Sequence, residues 1–156
     1  MVKARYIAFV LFAAMVMPSC EKNTVSKIPQ IGLMASTSAI TVNIDTCFIE
    51  FSIVDGDGDI GSSSNSDTSS VIYYKDSRFD SAGFTYTQFP PIDESIEDPK
   101  KGITGTCTYY PIPEPVPRDS LHGVTGDTLT YEIYITDRAG HQSNHIITHP
   151  IIIRPL

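Results

Sequence analysis

Hydrophobic positions along the chain follow two patterns. Residues 6–17 are an almost unbroken apolar run behind Lys3 and Arg5, whereas the later apolar positions come in short alternating stretches. The alternation is clearest in LTYEIYIT, where Leu129, Tyr131, Ile133 and Ile135 fall on one side of a strand and Thr130, Glu132, Tyr134 and Thr136 on the other. In CFIEFSIV the core set is Cys47, Ile49, Phe51 and Ile53, because Glu50 and Ser52 share the opposite face. Runs rich in β-branched and aromatic residues recur at 39–44, 47–54, 70–75, 83–89, 102–110, 128–136 and 144–153, with turn residues between them. That spacing predicts an all-β sandwich of about seven strands, with no helix outside the N-terminal run.

The N-terminal run has the layout of a secretory signal, a positive n-region followed by an apolar h-region. At about a dozen residues it falls short of the roughly 20 that cross a bilayer as a helix. It ends in Met17-Pro18-Ser19-Cys20, which resembles a bacterial lipobox, whose cysteine is acylated and becomes the first mature residue. A soluble secreted protein cleaved nearby is the alternative. The expected organisation is a lipoprotein signal peptide over 1–19, a lipidated Cys20 with a flexible tether over 20–35, and one domain over 36–156. Acyl chains contribute about 0.8 kcal/mol per buried CH₂, so several together hold a protein stably on a membrane. Glu21 follows Cys20, and by the enteric sorting rule this points to the outer membrane. All 18 acids follow Cys20 while Lys3 and Arg5 leave with the signal, so nine basic side chains remain and the mature net charge is −9. An acidic surface of this kind argues against nucleic acid as a partner. The expected partners are the membrane, through the anchor, and an envelope protein or glycan.

Together with the lipobox, FSIVDGDGDIG after a strand, GITGTCTYY in mid-chain and YEIYITDRAGHQSN before the last strand resemble a family of small Gram-negative lipoproteins of unknown function. Its motifs look like a DGDGDLG turn and a DRAGN-x-SN hairpin, with Ile60 here in the place of Leu and His141 in the place of Asn. The resemblance runs from about residue 40 onward. It implies an immunoglobulin-like β-sandwich at the cell envelope, and no established activity.

Asp55, Asp57 and Asp59 alternate with glycines in DGDGDIG. Carboxylates this close repel one another unless a cation lies among them. Counted from Asp55, the sixth and twelfth positions hold Ile60 and Ser66, so the stretch is not an EF-hand. Hard oxygen ligands on a chain that Gly56 and Gly58 let curl still suit calcium. If Ile53 and Ile135 close strands B and F of an immunoglobulin-like sandwich, Asp55 and Asp137 leave parallel strands at one end, giving a fourth ligand. A structural Ca²⁺ is one reading. The other is a solvated turn whose aspartates accept local N–H bonds, with Arg138 neutralising one of them. Two readings also stand for Cys47 and Cys107. They form a disulfide, worth about 4 kcal/mol for a loop of about 60 residues, or they remain buried free thiols, since the penultimate strand lacks the cysteine of an immunoglobulin bridge.

Catalytic patterns fare poorly. GSSSNS at 61–66 lacks the spacing of a nucleophile elbow. His141, His145 and His149 recur every four residues, but on a strand that spacing is roughly 13 Å, beyond the reach of one zinc ion. The acids sit in turns, and the chain has no Trp to stack on sugars, leaving Tyr73-Tyr74 and Tyr109-Tyr110 as substitutes. PIPEPVP at 111–117 reads as an extended surface strap. The expectation is therefore a non-enzymatic, lipid-anchored β-sandwich that acts as a binding or structural module. A carbohydrate-active or other hydrolytic envelope enzyme is one alternative, and an accessory subunit of an outer-membrane surface complex is the other.

Overall fold

The computed structural model describes residues 25–41, 44–62, 67–92, 102–112 and 126–154. The signal run, Cys20, residues 63–66 of the serine loop, most of the acidic IDESIEDPKKG loop at 92–102 and most of the 111–117 strap lie outside the described residues. Among the described residues ten strands form: β1 (Gln30–Ser36), β2 (Ala39–Thr41), β3 (Ile49–Asp55), β4 (Val71–Asp76), β5 (Thr85–Gln88), β6 (Ile103–Tyr109), β7 (Asp127–Leu129), β8 (Tyr131–Thr136), β9 (Ile146–Ile147) and β10 (Ile151–Arg154). A short 3-10 segment, Ser77–Ala82, joins β4 to β5. No described helix is long and apolar enough to cross a membrane.

The order β1-β3-β6 forms one sheet, and β5-β4-β8-β9 forms the other. A separate three-stranded ladder has the order β2-β10-β7, with β2 parallel to β10. The arrangement is an all-β sandwich whose strands are lettered by analogy with the immunoglobulin fold. β1, β3 and β6 stand as strands A, B and E; β5, β4, β7–β8 and β9–β10 stand as C′, C, F and G.

Two expected strands are interrupted, each for a local reason. The 128–136 run breaks at Thr130, whose N–H goes to the Ser77 hydroxyl and whose carbonyl accepts from the Ser77 N–H. The 144–153 run breaks before Pro150, which has no N–H to give a ladder. Thr148 covers part of that gap, because its hydroxyl accepts from the Tyr131 N–H at 2.9 Å and its own N–H donates to the Tyr131 carbonyl at 2.9 Å.

The tether ends earlier than its polarity suggests. β1 begins at Gln30 and pairs with β3 through Ser36, so the whole 30–35 stretch belongs to the domain. Ile31 is buried there. Its free edge is closed by one side chain: Asn144 Oδ1 accepts from the Ile31 N–H at 2.9 Å, and Nδ2 donates to the Ile31 carbonyl at 2.8 Å. Asn144 thus acts as one residue of a neighbouring strand, which gives the SN of DRAGHQSN a structural role.

Alternation assigns the core correctly. Cys47, Ile49, Phe51 and Ile53 from one sheet meet Leu129, Tyr131, Ile133 and Ile135 from the other, all buried. The surprise is Ile60, the last apolar residue of DGDGDIG, which is fully buried in the same cluster. Burying such a side chain contributes about 1.5–3 kcal/mol, so the acidic turn is pinned into the core by its own end.

Candidate metal centre

β3 and β8 run in the same direction and deliver Asp55 and Asp137 to one end of the sandwich. Both residues continue the inward phase of their strands, so both are fully buried despite their charge. The turn after β3 then folds back under two constraints. Gly56 lies against the incoming chain, where a Cβ would meet the Val25 carbonyl oxygen at 2.3 Å. Gly102 has φ +68° and lies against the Asp55 carbonyl, which a Cβ would meet at 2.2 Å.

Asp55, Asp57, Asp59 and Asp137 come together with one carboxylate oxygen of each within 4.8 Å of the others. The hydrogen bonding around them is asymmetric. Asp55 Oδ2 accepts from the Asp59 N–H at 3.0 Å, and Asp59 Oδ2 accepts from the Ala139 N–H at 3.0 Å. Asp57 Oδ2 faces Lys27 Nζ at 3.6 Å, and the Asp59 carbonyl accepts from the Arg138 N–H at 3.1 Å. Asp137 is oriented by His141, which donates its backbone N–H to Oδ1 at 2.7 Å and places Nδ1 2.8 Å from Oδ2. What remains is one buried oxygen without a partner on each turn aspartate, Oδ1 of Asp55, Asp57 and Asp59.

The electrostatics follow from this geometry. Burial raises the Asp55 pKa to about 6, with Asp57, Asp59 and Asp137 adding to the rise and the Asp59 N–H opposing it. Asp59 is raised too, by burial and then by Asp137 and Asp57, against the Ala139 N–H and the Arg138 charge. The bond to Asp137 raises the pKa of His141. Orphaned buried carboxylate oxygens carry a large desolvation cost. Convergent hard oxygens are also what a calcium ion coordinates, with six to eight ligands in flexible geometry.

The remaining sequence candidates do not converge. The disulfide reading is corrected: both cysteines are free thiols. Cys107 pairs opposite Phe51, four residues from Cys47 along the chain, or roughly 13 Å of extended strand, against the roughly 7 Å limit for a bridge. Burial pushes both thiols up to about 11, which leaves them unreactive. His145 bonds Glu132 and Gln142, whereas His141 bonds Asp137.

The tyrosine pairs split as strand geometry requires. Tyr74 packs inward beside Tyr109 and Tyr131, while Tyr73 faces out. On that outer face Tyr134 stacks on Tyr73 at 4.6 Å and on His145 at 4.7 Å, with the Phe84 ring edge-on at 4.9 Å. Both faces of the Tyr134 ring are therefore covered, so this row is an aromatic ridge rather than an open platform for a sugar. Sequence reasoning missed Lys27, His141 and the backbone N–H groups of 138 and 139 as parts of the acidic site. Only His141 left a signal, four residues after Asp137 in a turn.

Comparison with protein-family models, with curated proteins and with solved structures finds no match.

Proposed function

We propose that this chain is a lipid-anchored, non-catalytic sandwich of the outer membrane whose B–C and F–G turns are clamped by a calcium ion. The observation that carries the cation is the set of three buried, unpartnered Oδ1 atoms on aspartates that, with Asp137, each bring one carboxylate oxygen within 4.8 Å of the others. Each turn aspartate gives Oδ2 to the protein and keeps Oδ1 for the centre. A divalent ion there replaces mutual repulsion with coordination and ties Asp55, Asp57 and Asp59 to the strand that ends at Asp137. The role is structural, as a clamp between two turns.

A ligand that binds only the folded state raises stability by RT ln(1 + [L]/Kd), about 2.7 kcal/mol at a hundredfold excess over Kd. Thermal melts of metal-free protein in EDTA and in millimolar calcium should differ by several degrees, and Asp57→Ala should abolish the difference. Identical melts of the wild-type protein would sink the clamp. The anchor is tested separately: Cys20→Ala removes the acyl acceptor and should release the protein from the membrane fraction or leave unprocessed precursor. Unchanged fractionation and lipid labelling would refute it.

The aromatic ridge favours a second reading, an accessory subunit of an outer-membrane surface complex. Tyr86 tilts against Tyr73 at the end of the row with 68% of its surface exposed, and Ile147 on β9 is 62% exposed. Aromatic residues of this kind are enriched where proteins meet partners.

A further inference from the structure

We propose that the acidic end of the sandwich is its membrane-facing end, and that the cation held there sets how closely the domain sits on an anionic bilayer. This rests on the reading in which Cys20 is acylated and the aspartates bind calcium. The first support is the path of the chain. Gln30 pairs with Val54, so β1 starts where β3 finishes, beside the acidic turn. Upstream of β1 the backbone is seated on that turn: the Gly56 N–H donates to the Ser26 carbonyl at 2.8 Å, and Lys27 Nζ lies 3.6 Å from Asp57. Four residues lie between Cys20 and Val25, and the five Cα–Cα steps they make span no more than about 18 Å even when fully extended. An acylated Cys20 therefore holds the Asp55–Asp59 turn near the headgroups, and no rotation of the domain on its leash carries the turn far away.

Charge supplies the second support. Four carboxylates with one oxygen each inside 4.8 Å of the others lie at the end to which the leash is fixed. Negative lipids repel them over a Debye length of about 8–10 Å, which is within the span of the leash. A bound divalent ion cancels two of those charges and so weakens the repulsion. Loaded, the end lies against the bilayer; without the ion, its own carboxylates hold it off. The opposite end then points away from the membrane and carries the exposed side chains of Ile44, Tyr110 and Ile112.

The chain contains no Trp, so one introduced indole reports a single position. Thr68→Trp places it at the acidic end, on an exposed residue outside the aspartate cluster, and Ile112→Trp places it at the far end. Each lipidated variant is reconstituted in phosphatidylcholine vesicles with and without phosphatidylglycerol, carrying a dansyl headgroup acceptor. Energy transfer should be severalfold higher from Thr68→Trp than from Ile112→Trp. On phosphatidylglycerol vesicles calcium should raise the Thr68→Trp signal and EDTA lower it, and on phosphatidylcholine alone the two should match. Equal transfer from both positions, or more from Ile112→Trp, would overturn the orientation. Calcium melts run on the same variants separate the remaining failures. A calcium-shifted melt with unmoved transfer ends the membrane proposal and leaves the clamp standing, whereas a melt and a transfer that both ignore calcium end both.

Discussion

Strand β4 runs from one charged cluster to another, and the two are built differently. Where it finishes, Asp76 receives a fork from Arg78: Nε lies 3.0 and 3.1 Å from its two oxygens and Nη2 lies 2.6 Å from Oδ2, while Nη1 faces Asp127 at 3.6 Å. Where β4 begins, beside Asp137, four aspartates meet backbone N–H groups, one exposed lysine, one histidine and the charge of Arg138. Burial works against the Arg78 charge, yet Asp76 and then Asp127 hold its pKa above the ordinary arginine value. At the other end burial and mutual repulsion push Asp55 up to about 6. One end holds a guanidinium between its carboxylates. The other gathers four carboxylates, three of which keep a buried Oδ1 without a hydrogen-bond partner, with Lys27 and the Arg138 charge nearby.

The largest test of this contrast removes the internal cation. Arg78→Met leaves Asp76 and Asp127 near each other with no counter-charge, and breaking a buried pair in this way costs about 3–5 kcal/mol. Urea unfolding should show that loss equally in calcium and in EDTA. A loss that calcium repairs would mean the two ends are not independent.

Asp55→Asn should act in the opposite direction. The neutral amide keeps an acceptor for the Asp59 N–H and removes a buried charge whose pKa rises from 3.8 to about 6 on folding, a difference worth roughly 3 kcal/mol. In EDTA at neutral pH the variant should therefore be more stable than wild type, and it should no longer respond to calcium. The pH dependence follows from the same sign. An acid with a raised folded pKa destabilises the fold above that pKa and does nothing below its unfolded pKa. The metal-free protein should gain stability as pH falls from 7 to about 5, helped in the same direction by Asp59 and by the raised pKa of His141. With calcium bound the slope should reverse, because protons compete for the carboxylates. Thermal melts across that range check both, and a flat profile in EDTA would contradict the electrostatic reading of Asp55.

How much of this was legible in the chain differs between the two ends. Period-two alternation is a backbone property, so the core faces of β3 and β8 could be read directly, and with them the phase that carries Asp55 and Asp137 inward. β1 was hidden because its neighbours Glu21–Gln30 are polar and its own run, QIGLMAS, holds Gly32 and small residues. Its place depends on Asn144, 113 residues away. The Arg78 fork left no motif, since what makes it matter is Asp127, brought from a distant strand. DGDGDIG was legible as a concentration of charge, but the burial of Ile60 and the division of each carboxylate into a used and an unused oxygen arise only from tertiary packing.

The smallest effect asks whether Lys27 is, after all, the acidic end's own Arg78. Lys27 Nζ stands 3.6 Å from Asp57 Oδ2, close enough for an ion pair, but its side chain is 74% exposed against 8% for Arg78. Exposed pairs contribute roughly 0.2–1 kcal/mol because water and salt screen them and a long side chain must be ordered. It also faces Oδ2, leaving the buried Asp57 Oδ1 unpartnered. Lys27→Ala should therefore cost under about 1 kcal/mol in EDTA, fading as salt is added. Titration calorimetry should show calcium affinity unchanged or raised by a few-fold at most, since a competing positive charge has gone. If Lys27→Ala instead destabilised the protein as severely as Arg78→Met and left no calcium binding, the lysine would be the cation of this end, and the contrast between the two ends of β4 would vanish.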